Sequence, residues 1–224
     1  MERTIYQFED FARSAGNSAR APLRLQPASR SGQAVRVGVI LNRRSHQNLV
    51  ETRECEGRSN VTIACPDTRR DIVHELARFA ERGIDLLVIS GGDGTVRDVL
   101  TMGQGVFGNN WPRIAVLPKG KTNALNVDLG SPEDWTLAQA IAAYTDGRTV
   151  RRRPLAISPI DSKDPPVLGF IMGAGAFSLG VDAGQDAHKI GFFNSLAVGM
   201  TSAWGVLQAL FGSDGNQWRR GTRL

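Results

Sequence analysis

Apolar residues follow two different periods along the chain, and segments of the two kinds alternate. Short continuous apolar runs are typical of strands that are covered on both faces of a parallel sheet. The sequence predicts four such strands, at residues 34–42, 61–65, 84–90 and 113–118. Segments with helical spacing lie between and after them. This alternation favours an α/β fold with a doubly wound, mostly parallel sheet.

The first predicted helix covers residues 68–83. Thr68 and Asp71 have the spacing of a capping box at its start, and Gly83 stands where such a helix ends. Three apolar positions, Ile72, Leu76 and Phe79, fall on one face. The pattern therefore predicts an amphipathic helix that packs on the sheet.

Two further helices follow the later strands. One is predicted from about Thr95 to Met102. For the other, we expect Ser131 to be the N-cap, Pro132 to occupy the first helical position and Gly147 to follow the last turn. The region 35–147 is thus predicted to be one complete α/β domain.

The regions outside this predicted domain have a different composition. Residues 1–34 are rich in Ser, Ala, Arg and Pro without apolar periodicity, so we expect a mobile leader. After Gly147, two strand-like runs flank a Pro-rich turn and predict the start of a β-rich domain over 148–224. Apolar spacing of three and four predicts an amphipathic helix over 190–211, not a membrane span. Because a β-domain begun near residue 150 would be incomplete at residue 224, we expect the chain to be a fragment.

Charge and cysteine content argue against several classes of protein. A hydrophobic fraction of 41% and a mean hydropathy of −0.21 fit a globular protein. The net charge is +5, but the basic residues are scattered and only four of 27 are lysines, which argues against a nucleic-acid partner. Cys55 and Cys65 lack metal-ligand spacing, and residues 1–10 do not form a signal peptide. These features favour a cytoplasmic protein.

The third predicted strand runs into the sequence Gly-Gly-Asp-Gly-Thr. Gly91, Gly92 and Gly94 surround the carboxylate of Asp93, and a helix follows. Glycines allow close approach of a ligand, and a helix N-terminus attracts anions, so this turn is suited to phosphate. Beside phosphate, we expect Asp93 to act on Mg²⁺, directly or through water, or as a base toward a hydroxyl. The structural alternative is a glycine-rich turn in which Asp93 satisfies its own backbone.

The fourth predicted strand runs into a second glycine loop, in the sequence LPKGKTNAL. Gly120 is flanked by Lys119 and Lys121, which are two of the four lysines in an arginine-rich chain. Compact ammonium groups beside a loop glycine favour contact with phosphate. Thr122 and Asn123 follow at the start of a short helix, where helix capping and ligand contact are both open.

The two glycine motifs together resemble the diacylglycerol kinase catalytic family, which includes bacterial lipid kinases and sphingosine kinases. The first motif fits the family fully, with Asp98 where the family usually has Glu. Within the second motif, Lys121 stands at the usual Thr and Ala124 at the common Asp. Asn42 occupies the position of the family's first-strand Asn motif, whereas Arg43 and His46 depart from that motif.

The resemblance implies ATP-dependent transfer of the γ-phosphoryl group to a hydroxyl of diacylglycerol or a related lipid. ATP would lie between the α/β domain and a β-rich lipid-binding domain begun at 148. Asp93 would be the catalytic residue and would work with Mg²⁺. The implied nucleotide contacts are Asn42, Gly91, Gly92, Gly94, Thr95, Gly120, Lys121, Thr122 and Asn123.

Two alternatives to a lipid kinase stay open at this stage. The altered second loop favours a nucleotide-binding or interaction module with impaired catalysis, whereas Asp93 and Asp98 oppose it. NAD kinase and phosphofructokinase also use a Gly-Gly-Asp-Gly turn.

The arginine run in 148–154 is either a solvated hinge or a surface for anionic head groups, which would place the protein transiently at the inner membrane face.

Overall fold

The computed structural model describes residues 34–45, 59–158, 160–161, 163–172, 207 and 211. The chain divides into two compact units, Met1–Ile171 and Met172–Leu224. In the second unit, Leu207 and Phe211 are helical and their side chains are exposed. The predicted leader and the rest of the predicted amphipathic helix over 190–211 lie outside the described residues.

A four-stranded parallel sheet forms the centre of the first unit. Its strands lie in the spatial order β2-β1-β3-β4, and each neighbouring pair is parallel. The strands are β1 (Val37–Leu41), β2 (Val61–Ala64), β3 (Leu86–Gly91) and β4 (Arg113–Pro118). The four predicted strands are therefore confirmed, with ends that differ by up to three residues.

Helices cover both faces of this sheet. They are α1 (Arg69–Glu81), α2 (Asp93–Phe107), α3 (Ala124–Leu129) and α4 (Leu137–Thr145). Side chains of α1 and α2 share one apolar core with Ile40 and Ile89, whereas Leu137 of α4 packs with Val39 and Val88 on the opposite face. The predicted doubly wound, mostly parallel α/β fold is confirmed.

Gly38 determines how closely α1 lies against the sheet. A Cβ at this position would lie 2.7 Å from the ring of Phe79, which is fully buried. The ring therefore occupies the space that a side chain on β1 would take. The predicted apolar face of α1 is confirmed, since Ile72 and Leu76 are buried beside Phe79.

The predicted capping box at the start of α1 is also confirmed. The Thr68 hydroxyl accepts from the Asp71 amide at 3.2 Å and donates to the Asp71 carboxylate at 2.8 Å. This side-chain hydrogen bond lowers the pKa of Asp71 below its ordinary value of 3.8. A depressed carboxyl pKa adds stability above the unfolded-state pKa, and that stability is lost as the pH falls through the folded-state value.

We expect Thr68→Ala to lower the Tm by about 2–4 °C at neutral pH. The difference from wild type should stay constant above about pH 5 and shrink as the pH falls below 3.8 toward the lower pKa that Asp71 has in the folded protein. Thermal melts between pH 3 and pH 7 measure it. Thr136→Ala is the matched control because the capping box of α4 pairs Thr136 with the neutral Gln139. An acid dependence equal in both variants would contradict the explanation.

Two predicted helix boundaries were wrong. Helix α2 spans Asp93–Phe107 and not 95–102, because its internal glycine Gly103 packs against Trp111 and does not end the helix; a Cβ there would lie 2.4 Å from that ring. Helix α4 is capped by Thr136 and not by Ser131. The Ser131 hydroxyl instead donates to the Asn126 carbonyl at the end of α3, at 3.0 Å.

A short antiparallel hairpin follows α4 within the first unit. It consists of β5 (Leu155–Ile157) and β6 (Val167–Gly169). The Thr101 hydroxyl of α2 accepts from the Leu168 amide at 3.0 Å, so the hairpin packs on the helix that follows the glycine turn. Among the described helices, none is both long and apolar enough to cross a bilayer.

Candidate functional site

The ends of three adjacent strands bring the predicted site residues to one edge of the sheet. Asn42 follows β1, Gly91 ends β3 and Pro118 ends β4, and the last two are partners in the parallel register. The Asn42 amide donates to the Ser90 carbonyl at 3.0 Å. In open α/β sheets, ligands bind beyond the carboxyl ends of the strands, which is where these residues lie.

Asn42 is joined to the glycine turn by its side chain. Its Nδ2 donates to the Thr95 hydroxyl at 2.8 Å, and its Oδ1 accepts from the Arg44 amide at 3.0 Å. The Thr95 side chain lies against the end of β3: a Cβ on Gly91 would be only 2.5 Å from the Thr95 hydroxyl oxygen. The structure thus brings the predicted residues Asn42, Gly91 and Thr95 together.

The two glycine loops touch through their backbones. A Cβ on Gly120 would lie 2.4 Å from the Cα of Gly92, and one on Gly92 would lie 2.9 Å from the Cα of Gly120. In addition, the Lys119 amide donates to the Gly91 carbonyl at 3.4 Å. The loops can therefore touch only because Gly92 and Gly120 have no side chains.

Asp93 bonds to the second loop and not to its own turn. Its Oδ2 accepts from the Ala124 amide and its Oδ1 from the Leu125 amide, each at 3.0 Å. These amides belong to the first turn of α3. The sequence also allowed Asp93 to bond to the backbone of its own turn. In the structure, its carboxylate instead connects the glycine turn to α3.

Asn123 stabilises the second loop from within. Its Oδ1 accepts from the Gly120 amide at 2.8 Å, and its Nδ2 donates to the Gly120 carbonyl at 2.9 Å. Its φ of 48° is the only left-handed value of a non-glycine residue in the described part of the chain, and asparagine tolerates this region better than most residues. Its side chain makes no capping hydrogen bond to α3.

On its open side, the site is exposed to solvent, in contrast to the close contact between the loops. Gly94 is exposed, and a Cβ there would have no atom within 4 Å. Lys121 and Thr122 are exposed as well, whereas Lys119 is buried to 7% exposure. Gly92 precedes α2 and provides no side-chain cap, and the Thr95 amide donates to the Gly92 carbonyl at 2.9 Å, so the N-terminal end that suits an external anion is that of Asp93 and Gly94.

Asn126, which the sequence pattern did not single out, anchors α3 to β4. Asn126 is buried to 3% exposure, and its Nδ2 donates to the Val116 carbonyl of β4 at 2.7 Å. The same group donates to the Ser131 hydroxyl at 3.1 Å. A polar residue on the otherwise apolar face of α3 was the available signal for this anchor.

The region that contains both glycine loops matches a known protein family. Residues 36–154, more than half of the chain, match the family described as the diacylglycerol kinase catalytic domain. The chain belongs to this family. The resemblance seen in the two glycine motifs is therefore confirmed, although one of them departs from the family pattern at Lys121 and Ala124.

Individual relatives of the diacylglycerol kinase family show the extent of the similarity. A Chromohalobacter salexigens protein named "Probable lipid kinase YegS-like" is 28% identical over 172 residues, covering 69% of this chain and 54% of that protein. A Cronobacter sakazakii protein of the same name is 29% identical over 93 residues, covering 42% and 29%. The chain thus spans about half, or less, of the length of these relatives.

The chain also has similarity to solved structures. A Bacillus anthracis structure titled as a diacylglycerol kinase has a TM-score of 0.38 and 25% identity to this chain. The match covers 50% of this chain and 44% of that one.

The second acid of the family motif has a structural environment of its own. Asp98 accepts from the Arg97 guanidinium at 2.8 Å, and the Arg69 Nε lies 3.6 Å from its other oxygen. Its side chain is 17% exposed. Asp98 therefore links α1 and α2 through an ion-paired cluster beside the glycine turn.

Proposed function

We propose that this chain carries the nucleotide-binding part of a lipid kinase that transfers the γ-phosphoryl group of ATP to a hydroxyl of diacylglycerol or a related lipid. Membership of the diacylglycerol kinase catalytic family supports the reaction class. The observation that carries the proposal is the contact between Gly92 and Gly120, which unites two glycine loops at one sheet edge. Phosphoryl transfer depends mainly on such alignment and on charge neutralisation.

The proposed triphosphate site lies on the open side of the glycine turn. The first amides of α2 and the open space at Gly94 suit an anionic group. Lys121 is exposed at the second loop, where it would compensate phosphate charge in place of the family's Thr. Asn42 and Asn123 are proposed to hold the loops in place, since their amide groups bond to Thr95 and Gly120.

The residues present fit a magnesium ion that is shared with phosphate. Within the described residues, no three acidic, His or Cys side chains are grouped to hold a metal by themselves. Mg²⁺ usually takes one or two carboxylates and completes its shell with phosphate oxygens and water. Asp93 supplies one carboxylate, and its two amide bonds use about half of its acceptor positions. Bound Mg²⁺ would neutralise charge on the transferred group.

We propose that catalysis by Asp93 uses the acceptor positions that its two amide bonds leave unoccupied. A carboxylate in this turn would orient a hydrated Mg²⁺ or accept the proton of the lipid hydroxyl. The bonds to Ala124 and Leu125 also favour the alternative that the chain is a nucleotide-binding module with impaired catalysis, because each oxygen of this acid already accepts one hydrogen bond. Both functions require a bound nucleotide.

The proposed lipid partner brings the protein to a membrane from the cytoplasmic side. Arg151 and Arg153 are exposed in the arginine run before β5, whereas Arg152 pairs with Asp128 at 3.0 Å and Arg148 pairs with a neighbouring acid. Each basic residue near an anionic bilayer adds about 1 kcal/mol of attraction. We propose transient, peripheral contact and no nucleic-acid partner.

A phosphotransfer assay tests this function directly. The protein in its full natural length would be given Mg²⁺ and γ-labelled ATP with diacylglycerol, a sphingoid base or NAD in turn. Label transfer to diacylglycerol is the expected result. Transfer to NAD would favour the NAD kinase-like alternative, and nucleotide binding without transfer to any acceptor would favour the impaired module.

We expect Lys121→Met to weaken ATP binding about tenfold, because a charge-assisted hydrogen bond to phosphate contributes about 1.5 kcal/mol. Isothermal titration calorimetry of wild type and variant measures this change. Lys163→Met is the matched control, since it removes the same charge from the connection between β5 and β6. An unchanged ATP affinity in Lys121→Met would mean that this ammonium does not contact phosphate.

A further inference from the structure

The carboxylate of Asp93 occupies the place of a helix cap for α3. The first N–H groups of a helix lack intrahelical acceptors and are normally satisfied by the residue just before it. Asn123 makes no such bond, because its side-chain amide is used on Gly120. Asp93, 31 residues before Ala124 in sequence, accepts from the amides of Ala124 and Leu125 instead.

We infer that Asp93 is a positioning residue for the second glycine loop, in addition to any role toward metal. Its bonds fix the orientation of α3 and hence of the loop 119–123 that precedes it. The contact of Gly92 with Gly120 and the bond from the Lys119 amide to the Gly91 carbonyl join the loops before α3 begins, and Asn126 ties α3 to β4. The bonds of Asp93 attach the first turn of α3 directly to the glycine turn. The consequence for phosphate binding rests on the proposed function, since Lys121 then meets the phosphate in a defined place.

Only a carboxylate satisfies both amides at once. It presents two acceptor oxygens and no donor, whereas an asparagine would turn a donor NH₂ toward one of the two N–H groups. Its negative charge also favours the positive end of the α3 backbone dipoles. Asp93→Asn therefore breaks one bond, places two donors against each other and leaves the side chain almost unchanged in size.

Nucleotide binding without metal separates positioning from metal binding. We expect Asp93→Asn to weaken ADP binding about tenfold both with Mg²⁺ and in excess EDTA, because the loop is displaced in either case. If Asp93 acted only through the metal, affinity in EDTA would be equal to wild type or higher, and the inference would be overturned. A wild-type protein that binds no ADP under either condition contradicts the proposed function, whereas positioning is still tested as follows.

Amide exchange tests the positioning role without any nucleotide. In the Asp93→Asn variant, hydrogen exchange at Ala124 and Leu125 should be at least tenfold faster than in wild type. Asp98→Asn is the matched control, since it makes the same charge change on the same helix and Asp98 pairs with arginines. Unchanged exchange in a folded Asp93→Asn variant overturns the inference.

The wild-type chain provides a second measurement that needs no variant to fold. Scalar coupling across a hydrogen bond should connect the amide nitrogens of Ala124 and Leu125 with the carboxyl carbon of Asp93 in an isotope-labelled sample. Detection of this coupling supports positioning. Its absence, while backbone couplings within α2 are seen in the same experiment, overturns it.

Discussion

The Gly120→Ala variant is expected to lose about 1–3 kcal/mol of unfolding free energy and to bind ATP at least a hundredfold more weakly. The added Cβ would lie 2.4 Å from the Cα of Gly92 and 3.0 Å from the Oδ1 of Asn123. Overpacking of this kind costs about 1–3 kcal/mol even where side chains can move aside. Here the nearest atom is backbone, so the loops themselves must separate.

Urea unfolding followed by circular dichroism measures the stability change of Gly120→Ala, and calorimetric titration with ATP measures the change in affinity. Gly169→Ala is the matched control, because a Cβ on that β6 residue would meet its nearest atom at an ordinary 3.8 Å. We expect the control to keep both properties. If Gly120→Ala were as stable as wild type and bound ATP equally well, that result would contradict a close contact between the two glycine loops.

The fold was largely predictable because its signals are local. The apolar run of β3 and the capping box of α1 each lie within a few residues of sequence, and both were found in the structure. The start of α4 was misplaced because two capping signals competed: Ser131 precedes a proline, but Thr136 forms the complete capping box with Gln139. Local patterns therefore gave the elements but not every boundary.

That the predicted residues meet at one edge of the sheet followed from the order of the strands, but the bonds among them did not. Asn42 and Thr95 are 53 residues apart, and the bond between them follows from the adjacency of β1 and β3. The role of the glycines was also only partly foreseen. Gly92 and Gly120 bring the loops into contact with each other, and open space for a ligand is found at Gly94. Such differences arise from tertiary packing, which one sequence does not display.

Gly94→Ala should produce the opposite combination of effects to Gly120→Ala. A Cβ at Gly94 has no protein atom within 4 Å, and the residue lies in the first turn of α2 without a positive φ. Replacing glycine by alanine at a compatible position stabilises a protein by about 0.4–1 kcal/mol. We therefore expect unfolding free energy that is equal to or above that of wild type, together with a more than tenfold loss of ATP affinity.

The loss of affinity follows if the open space at Gly94 is where phosphate approaches the backbone, since a methyl group would then stand between them. Adenosine is the ligand control: it lacks phosphate, so its weaker binding should be the same in wild type and variant. Calorimetry with both ligands and urea unfolding of both proteins measure the three quantities. Equal ATP affinities would show that phosphate does not reach this turn. A selective loss for ATP in a protein of undiminished stability would place phosphate at the start of α2, because weakened packing could not produce that combination.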